Sequence, residues 1–157
     1  MILHPLKILS GGQTGVDRAA LDYALKKGIP CGGWCPKGRR AEDGPIPGIY
    51  PLLETTSGNY PGRTKMNIVY SDGTLIITRT RFFDRGTALT HRLCEQYGKP
   101  CQVVDLDQSP GPQVEQLQTW IHTGKIHTLN IAGPRESALP GIYQATLLFL
   151  EEVGKEG

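Results

Sequence analysis

Three glycine turns, each standing between an apolar run and a segment of helical periodicity, constrain this chain more than any other feature. The first is Ser10-Gly11-Gly12-Gln13-Thr14-Gly15, which follows the apolar run Leu6–Leu9. After it Val16, Ala20, Tyr23 and Ala24 recur at helical spacing until Gly28-Ile29-Pro30 stops them. The second runs from Arg79 to Thr87, after the buried-strand candidate Thr74–Thr78, and at Gly86-Thr87 opens a helix carrying Ala88, Leu89, Leu93 and Tyr97. The third, Gly133-Pro134-Arg135-Glu136-Ser137, follows the run Ile126–Ala132. It leads into a helix expected to start at Pro140, with Ile142, Thr146, Phe149, Leu150 and Val153 inward. Between the second and third turns, Cys101–Leu106 reads as a strand and Pro112 as the first residue of a helix with Val114, Leu117 and Ile121 on one face, up to Gly124.

Strands alternating with helices predict an α/β fold, a doubly wound and mainly parallel sheet with helices on both faces. The 157 residues suffice for one domain with a real core, so residues 1–157 are expected to form a single domain. One stretch departs from the pattern. From Gly32 to Arg63 there is no sustained periodicity, only a polar run dense in Gly and Pro, of a length that inside a domain is usually functional or disordered. Its mixed charges, Lys37, Arg39, Arg40, Glu42 and Asp43, favour a segment folded back over a site.

The turns share a chemistry. Glycines let the backbone approach a ligand, and the free N–H groups of a helix start, with the macrodipole, favour an anion, most commonly phosphate. In a parallel sheet all three turns fall on the carboxyl edge, where open α/β sheets bind ligands at a reversal of strand order. Gly11–Gly15 is neither the G-x-G-x-x-G dinucleotide fingerprint nor a Walker loop, whose terminal Lys-Ser/Thr is missing. Arg135 is a permanent cation with a fork suited to phosphate, and Ser137 adds a hydroxyl. Lys37 and Arg39 supply further cations on the long segment. The competing readings are a strand–helix turn capped by Thr14 without a ligand, and an Arg135 paired with Glu136 or another surface carboxylate.

Other classes fit poorly. A net charge of +2 gives little of the field a general nucleic-acid binder uses. Cys31, Cys35, Cys94 and Cys101 form no C-x-x-C pair, so free thiols in a reducing compartment are the plain expectation. Met1–Leu9 is too short and too polar for a signal peptide or membrane span, which predicts a cytoplasmic protein with no membrane partner. His4, His91, His122 and His127 stand beside no serine or cysteine motif. Asp17, Glu42 and Asp43 are the candidate acids near the glycine turns, more suited to positioning than to general base catalysis.

Four stretches carry a resemblance to a known family: Ser10–Asp22, Gly33–Arg39 with Ala41–Gly44, Ser71–Ile76, and Asn130–Ser137. Together they resemble the bacterial molybdenum carrier, or molybdenum cofactor carrier, proteins. The resemblance implies a Rossmann-like fold, a homo-oligomer (dimer or tetramer), no established chemistry, and molybdenum cofactor (molybdopterin) bound as cargo through its phosphate and pterin. On this reading the ligand-binding residues are Gly11, Gly12, Gln13, Thr14, Gly15, Lys37, Arg39, Arg79, Gly86, Thr87, Asn130, Gly133, Arg135, Glu136 and Ser137. The Gly11–Gly15 and Gly133–Ser137 turns would cradle the oxyanions, and Lys37–Asp43 would close over the pterin.

The family is similar in turn to the wider lysine-decarboxylase-like superfamily, whose enzymes are phosphoribohydrolases of nucleoside monophosphates. Arg63 and Met66 match their arginine and methionine. Of their Pro-Gly-Gly-x-Gly-Thr-x-x-Glu motif, however, only Gly86-Thr87 is present, and Thr90 takes the place of the catalytic acid. A threonine cannot do the work of a carboxylate. The alternatives to a carrier are a nucleotide-processing enzyme with Asp17, Glu42 or Asp43 standing in for that acid, or a nucleotide-sensing module.

Overall fold

The computed structural model describes residues 7–56 and 60–155, without the side chains of Tyr60 and Pro61. Leu6 and His4 lie outside the described residues. The elements are β1 (Lys7–Leu9), α1 (Val16–Lys27), β2 (Cys31–Gly32), β3 (Trp34–Cys35), β4 (Arg40–Ala41), β5 (Gly44–Pro45), β6 (Leu53–Glu54), α2 (Tyr60–Val69), β7 (Gly73–Thr78), α3 (Arg85–Gln96), β8 (Cys101–Asp105), α4 (Pro110–Thr123), β9 (Thr128–Ala132) and α5 (Ile142–Val153).

Five strands form one sheet in the order β2-β1-β9-β7-β8, and all its pairs are parallel. The last strand in sequence is therefore the central one. Counted from β9 and continued through β1, β2, β7 and β8, the spatial order reads 3-2-1-4-5, the order of the Rossmann fold. The chain is a Rossmann sheet whose first strand and helix, β9 and α5, have moved to the end of the sequence.

Period-two alternation divides the strand residues between two helical layers. Ile8, Leu75, Ile77, Leu129 and Ile131 join one buried cluster with residues of α1, α4 and α5. Thr74, Ile76 and Thr78 alternate with them and are also fully buried, on the side of α2 and α3. A strand buried on both faces reads as a continuous apolar run, as Thr74–Thr78 does.

Several boundaries differ from expectation, each for a local reason. Helix α4 starts at Pro110, with Ser109 before it. Pro112 falls within the first turn, where a missing N–H costs nothing. Ile126 donates its N–H to Ile121 O at 3.0 Å, which ties it to the end of α4, so β9 begins at Thr128. Helix α5 starts at Ile142 and not at Pro140, because Gly141 is in the left-handed region and the Glu136 carboxylate accepts the Gly141 and Tyr143 N–H groups. Asp84, not Gly86, caps α3.

The segment without periodicity is folded back on the domain. It holds two small sheets, β3 parallel to β6 and β4 antiparallel to β5, each strand two residues long and too short to leave a period in the sequence. Cys35, Ile46, Tyr50 and Leu52 bury themselves with Leu21 of α1. Arg39, at φ 53°, donates to the carbonyls of Ile46, Pro47, Tyr50 and Leu52 and so organises the segment from inside. All four cysteines are free thiols.

Candidate functional site

The carboxyl ends of β1, β7 and β9 open on one cavity of about 310 Å³, at the low end of the range of about 300–1,000 Å³ for small-molecule sites. Gly11, Gln13 and Asp17 contribute from β1 and the start of α1. Asp84, Arg85, Gly86, Leu89 and Thr90 contribute from the start of α3. Asn130, Ala132, Gly133 and Arg135 come from β9 and its turn, and Arg63, Thr64 and Asn67 from α2. The cavity lies where the strand order reverses, beside the central β9.

The partners of the backbone donors set the three turns apart. After β1, Gly12 N–H donates to Ser10 Oγ (3.2 Å), Gln13 N–H to Asp17 Oδ2 (3.3 Å), Thr14 N–H to Gln13 Oε1 (3.0 Å) and Val16 N–H to Pro134 O (3.3 Å). After β9, Arg135 N–H donates to Asp84 Oδ2 (3.2 Å), Glu136 N–H to Thr14 Oγ1 (3.1 Å) and Ser137 N–H to Glu42 Oε2 (3.1 Å). The two turns expected to cradle oxyanions spend these donors on the protein and on each other. Gly15 (φ 79°) shows how closely they meet, since a Cβ there would stand 2.4 Å from Pro134 O. Gly12 packs against Leu52 and Ile46 of the folded-back segment.

The third turn is different. Asp84 Oδ1 accepts Thr87 N–H (2.9 Å) and Thr87 Oγ1–H (2.6 Å), a regular N-cap. The N–H groups of Arg85 and Gly86 have no partner among the described residues, and both residues line the cavity. The positive end of α3 is therefore open to an anion. Arg135 also lines the cavity, half exposed, with its Nε 3.3 Å from Glu42 Oε1 and 3.2 Å from Ser137 Oγ.

Of the residues expected to bind ligand, Gly11, Gln13, Gly86, Asn130, Gly133 and Arg135 share this cavity, and the others lie off it. Lys37 is exposed on the folded-back segment, and Arg39 is occupied by its four carbonyls. Arg79 pairs with Asp107 at 3.2 Å. Thr14 and Ser137 hold Glu42, Glu136 caps α5, and Thr87 is buried against Asp84. The Lys37–Asp43 stretch does not close over the cavity but braces the turns from behind. Arg18 grips Asp43 at 3.0 and 3.2 Å and donates twice to Gly12 O at 3.1 Å. Its hydrogen bond and charge hold the Asp43 carboxyl below the ordinary carboxylate range. Asp22 accepts both Tyr50 Oη–H (2.6 Å) and Tyr143 Oη–H, joining the segment to α5.

The cavity also holds groups that the sequence left out of the ligand set. Asp84 and Arg85 lie in the Arg79–Thr87 turn, of which only Arg79, Gly86 and Thr87 are expected to bind, and Thr64 and Asn67 sit on α2, a helix that no periodicity announced. Asn67 fastens α2 to the Trp34 backbone by two hydrogen bonds of 2.9 and 3.0 Å. Thr90 donates its hydroxyl to Gly86 O at 2.9 Å, so the position of the superfamily's acid is filled by a self-satisfied hydroxyl. Asp17 is 7 % exposed, and burial pushes its carboxyl up to about 6 despite the opposing charge of Arg63.

A parallel sheet with a crevice at its order reversal and helices on both faces defines a Rossmann-like α/β domain. The chain belongs to the circularly permutated YpsA SLOG family, whose family model matches residues 8–154. The place of β9 and α5 at the end of the chain, with β9 at the centre of the sheet, is consistent with that description. A crystal structure from Syntrophus aciditrophicus SB, named "Putative molybdenum carrier protein", is similar at 48% identity and a TM-score of 0.93, covering 99% of this chain and 98% of that one. No curated protein matches the chain. Among the described residues, no helix is long and apolar enough to cross a membrane.

Proposed function

We propose that the cavity holds a phosphate-bearing pterin of the molybdenum cofactor type as cargo, and that the protein is a carrier that binds, shields and releases it without chemical change. The observation that carries this reading is the open N-terminus of α3, flanked in one cavity by Arg85 and Arg135. A dianionic phosphate there meets two backbone N–H groups, the helix dipole and two guanidinium groups. The Gly11–Gly15 and Gly133–Ser137 turns then act as the rigid wall of the site. The name given to the Syntrophus structure supports the same cargo. Incubation of the purified protein with molybdenum cofactor, followed by native mass spectrometry and by the rate of cofactor oxidation, tests it. Retention of the cofactor and slowed oxidation are expected, and an unchanged decay rate in excess protein overturns it.

A nucleotide-processing enzyme is the second reading, favoured by Asp17, whose carboxyl at about 6 stands in the range useful for acid–base work. Release of free base from AMP or N6-modified AMP above about 0.1 per second, against a typical enzyme turnover of about 10 per second, would select it. The proposal extends to a cytoplasmic homo-oligomer. Leu25 on α1 and Leu148 on the adjoining α5 are exposed apolar contacts for it, and light scattering at micromolar concentration is the check.

A further inference from the structure

The cavity has two chemically different parts. Arg85, Gly86 and Arg135 suit an anion, whereas Asp17 and Asn130 offer acceptors. Asp17 Oδ2 accepts one long hydrogen bond from Gln13 N–H (3.3 Å), and Oδ1 accepts none among the described residues. A carboxylate so buried is costly unless its lone pairs are met. Asn130, 3 % exposed, gives its amide N–H to Thr74 Oγ1 (3.2 Å), and its carbonyl oxygen accepts none among the described residues. Asp84, the other cavity carboxylate, is taken by Thr87 and by Arg135 N–H. A phosphate placed against Asp17 would meet like charge. The acceptors therefore call for the opposite end of the ligand, a ring that presents N–H donors.

We propose that Asp17 is the specificity-determining residue of this site, its carboxylate accepting the ring N–H and adjacent exocyclic amine of a 2-amino-4-oxo heterocycle whose phosphate lies by Arg85 and Arg135. That edge is shared by pterins and guanine, and the match is the bidentate one of a carboxylate to two parallel N–H groups. Adenine lacks it, since its ring nitrogen on that edge is an acceptor, which an ionised carboxylate rejects. The inference rests on the ligand-binding reading of the cavity but not on the identity of the cargo. Around Asp17 stand Arg63 from α2, Asp84 and Arg85 at the start of α3, Arg135 after β9, and Arg18 on α1 itself. With the carboxyl ionising near pH 6, affinity for such rings falls as the pH drops below that value.

The test is calorimetric titration of the whole protein and of Asp17→Asn with inorganic phosphate, a pterin monophosphate, GMP, IMP and AMP. The amide is isosteric and keeps an oxygen for Gln13 N–H, and phosphate affinity reports whether the variant's anion end is intact. The parent should bind the pterin phosphate and GMP at least about tenfold more tightly than AMP, with IMP, which lacks the amine, between them. Asp17→Asn should bring these affinities within about twofold of one another and should not weaken phosphate binding. Equal affinities in the parent, or an unchanged ratio in the variant, overturn the assignment of Asp17 alone. Loss of phosphate binding in the variant overturns it too, because Asp17 would then serve the anion end or the fold. Failure of every phosphate-bearing probe to bind the parent overturns the reading of the cavity itself. Preference for the pterin over GMP, or the reverse, identifies the source of the ring.

Discussion

Glu42 and Ser137, 95 positions apart, are held together by two hydrogen bonds, Ser137 N–H to Glu42 Oε2 at 3.1 Å and Ser137 Oγ–H to Glu42 Oε1. The pair latches the folded-back segment to the turn after β9, and Thr14 Oγ1–H completes it from the turn after β1. Glu42→Ala removes the acceptor these solvent-accessible donors share and should cost about 0.5–1.5 kcal/mol in urea unfolding. Burial works against the ionised Glu42, but the Ser137 and Thr14 hydrogen bonds and the Arg135 charge outweigh it and hold its carboxyl below the ordinary 4.5. The latch therefore contributes fully above about pH 4.5 and is lost as the pH falls through the depressed value. Glu42→Gln should flatten that acid limb, and an acid limb identical to the parent's would refute the latch.

Arg135 and Arg79 offer a matched pair of tests for the anion end. Arg135 lines the cavity, whereas Arg79 is engaged with Asp107 away from it. Arg135→Ala should weaken binding of a phosphate-bearing ligand by about tenfold to a hundredfold, the equivalent of one charge-assisted hydrogen bond of about 1.5–3 kcal/mol. Arg79→Ala should leave the affinity within about twofold. Equal losses in the two variants, titrated at one salt concentration, would mean long-range charge and not a built anion site.

Asp17 links the site to stability with a definite sign. Its carboxyl is raised in the fold from 3.8 to about 6, so the native state holds the proton more tightly than the unfolded chain. Stability attributable to it is full below about pH 4 and is lost as the pH rises through about 6. Asp17→Asn removes the ionisation, so the variant should gain on the parent by up to roughly 3 kcal/mol between pH 3.5 and pH 7. Urea unfolding at the two pH values measures it. A constant difference between the proteins would show that Asp17 does not titrate abnormally.

Gly15 tests the wall of the site. With φ 79° and ψ −129° it occupies a backbone region that is nearly glycine-only, and an added Cβ would strike the Pro134 and Arg135 backbone. Gly15→Ala should cost at least about 2 kcal/mol and separate the two turns. Thermal melting together with hydrogen exchange at the Glu136 and Ser137 amides should show both effects. Native-like protection at those amides would contradict the close contact.

Sequence alone determined the class of fold and the edge on which the site lies. Strand, turn and helix leave local marks: apolar runs such as Thr74–Thr78, stop signals such as Gly28-Ile29-Pro30, and the cation Arg135 in a turn. Because each follows from the residue's own chemistry and its neighbours in the chain, each is readable without coordinates. Strand order is not local, and nothing in the sequence of β9 shows that it becomes the centre of the sheet. Nor can a turn reveal where its N–H groups go. Gly11–Gly15 and Gly133–Ser137 have the composition of anion cradles, yet the N–H groups of Gly12, Gln13, Arg135, Glu136 and Ser137 go to Ser10, Asp17, Asp84, Thr14 and Glu42, partners up to 122 positions away. Only packing decided that the start of α3 stays open and that Arg39 turns inward to backbone carbonyls. Only packing buried Asp17 in the cavity, where the loss of water raises its proton affinity. Free donors and desolvated charges are properties of the assembled surroundings, and those come from every part of the chain at once.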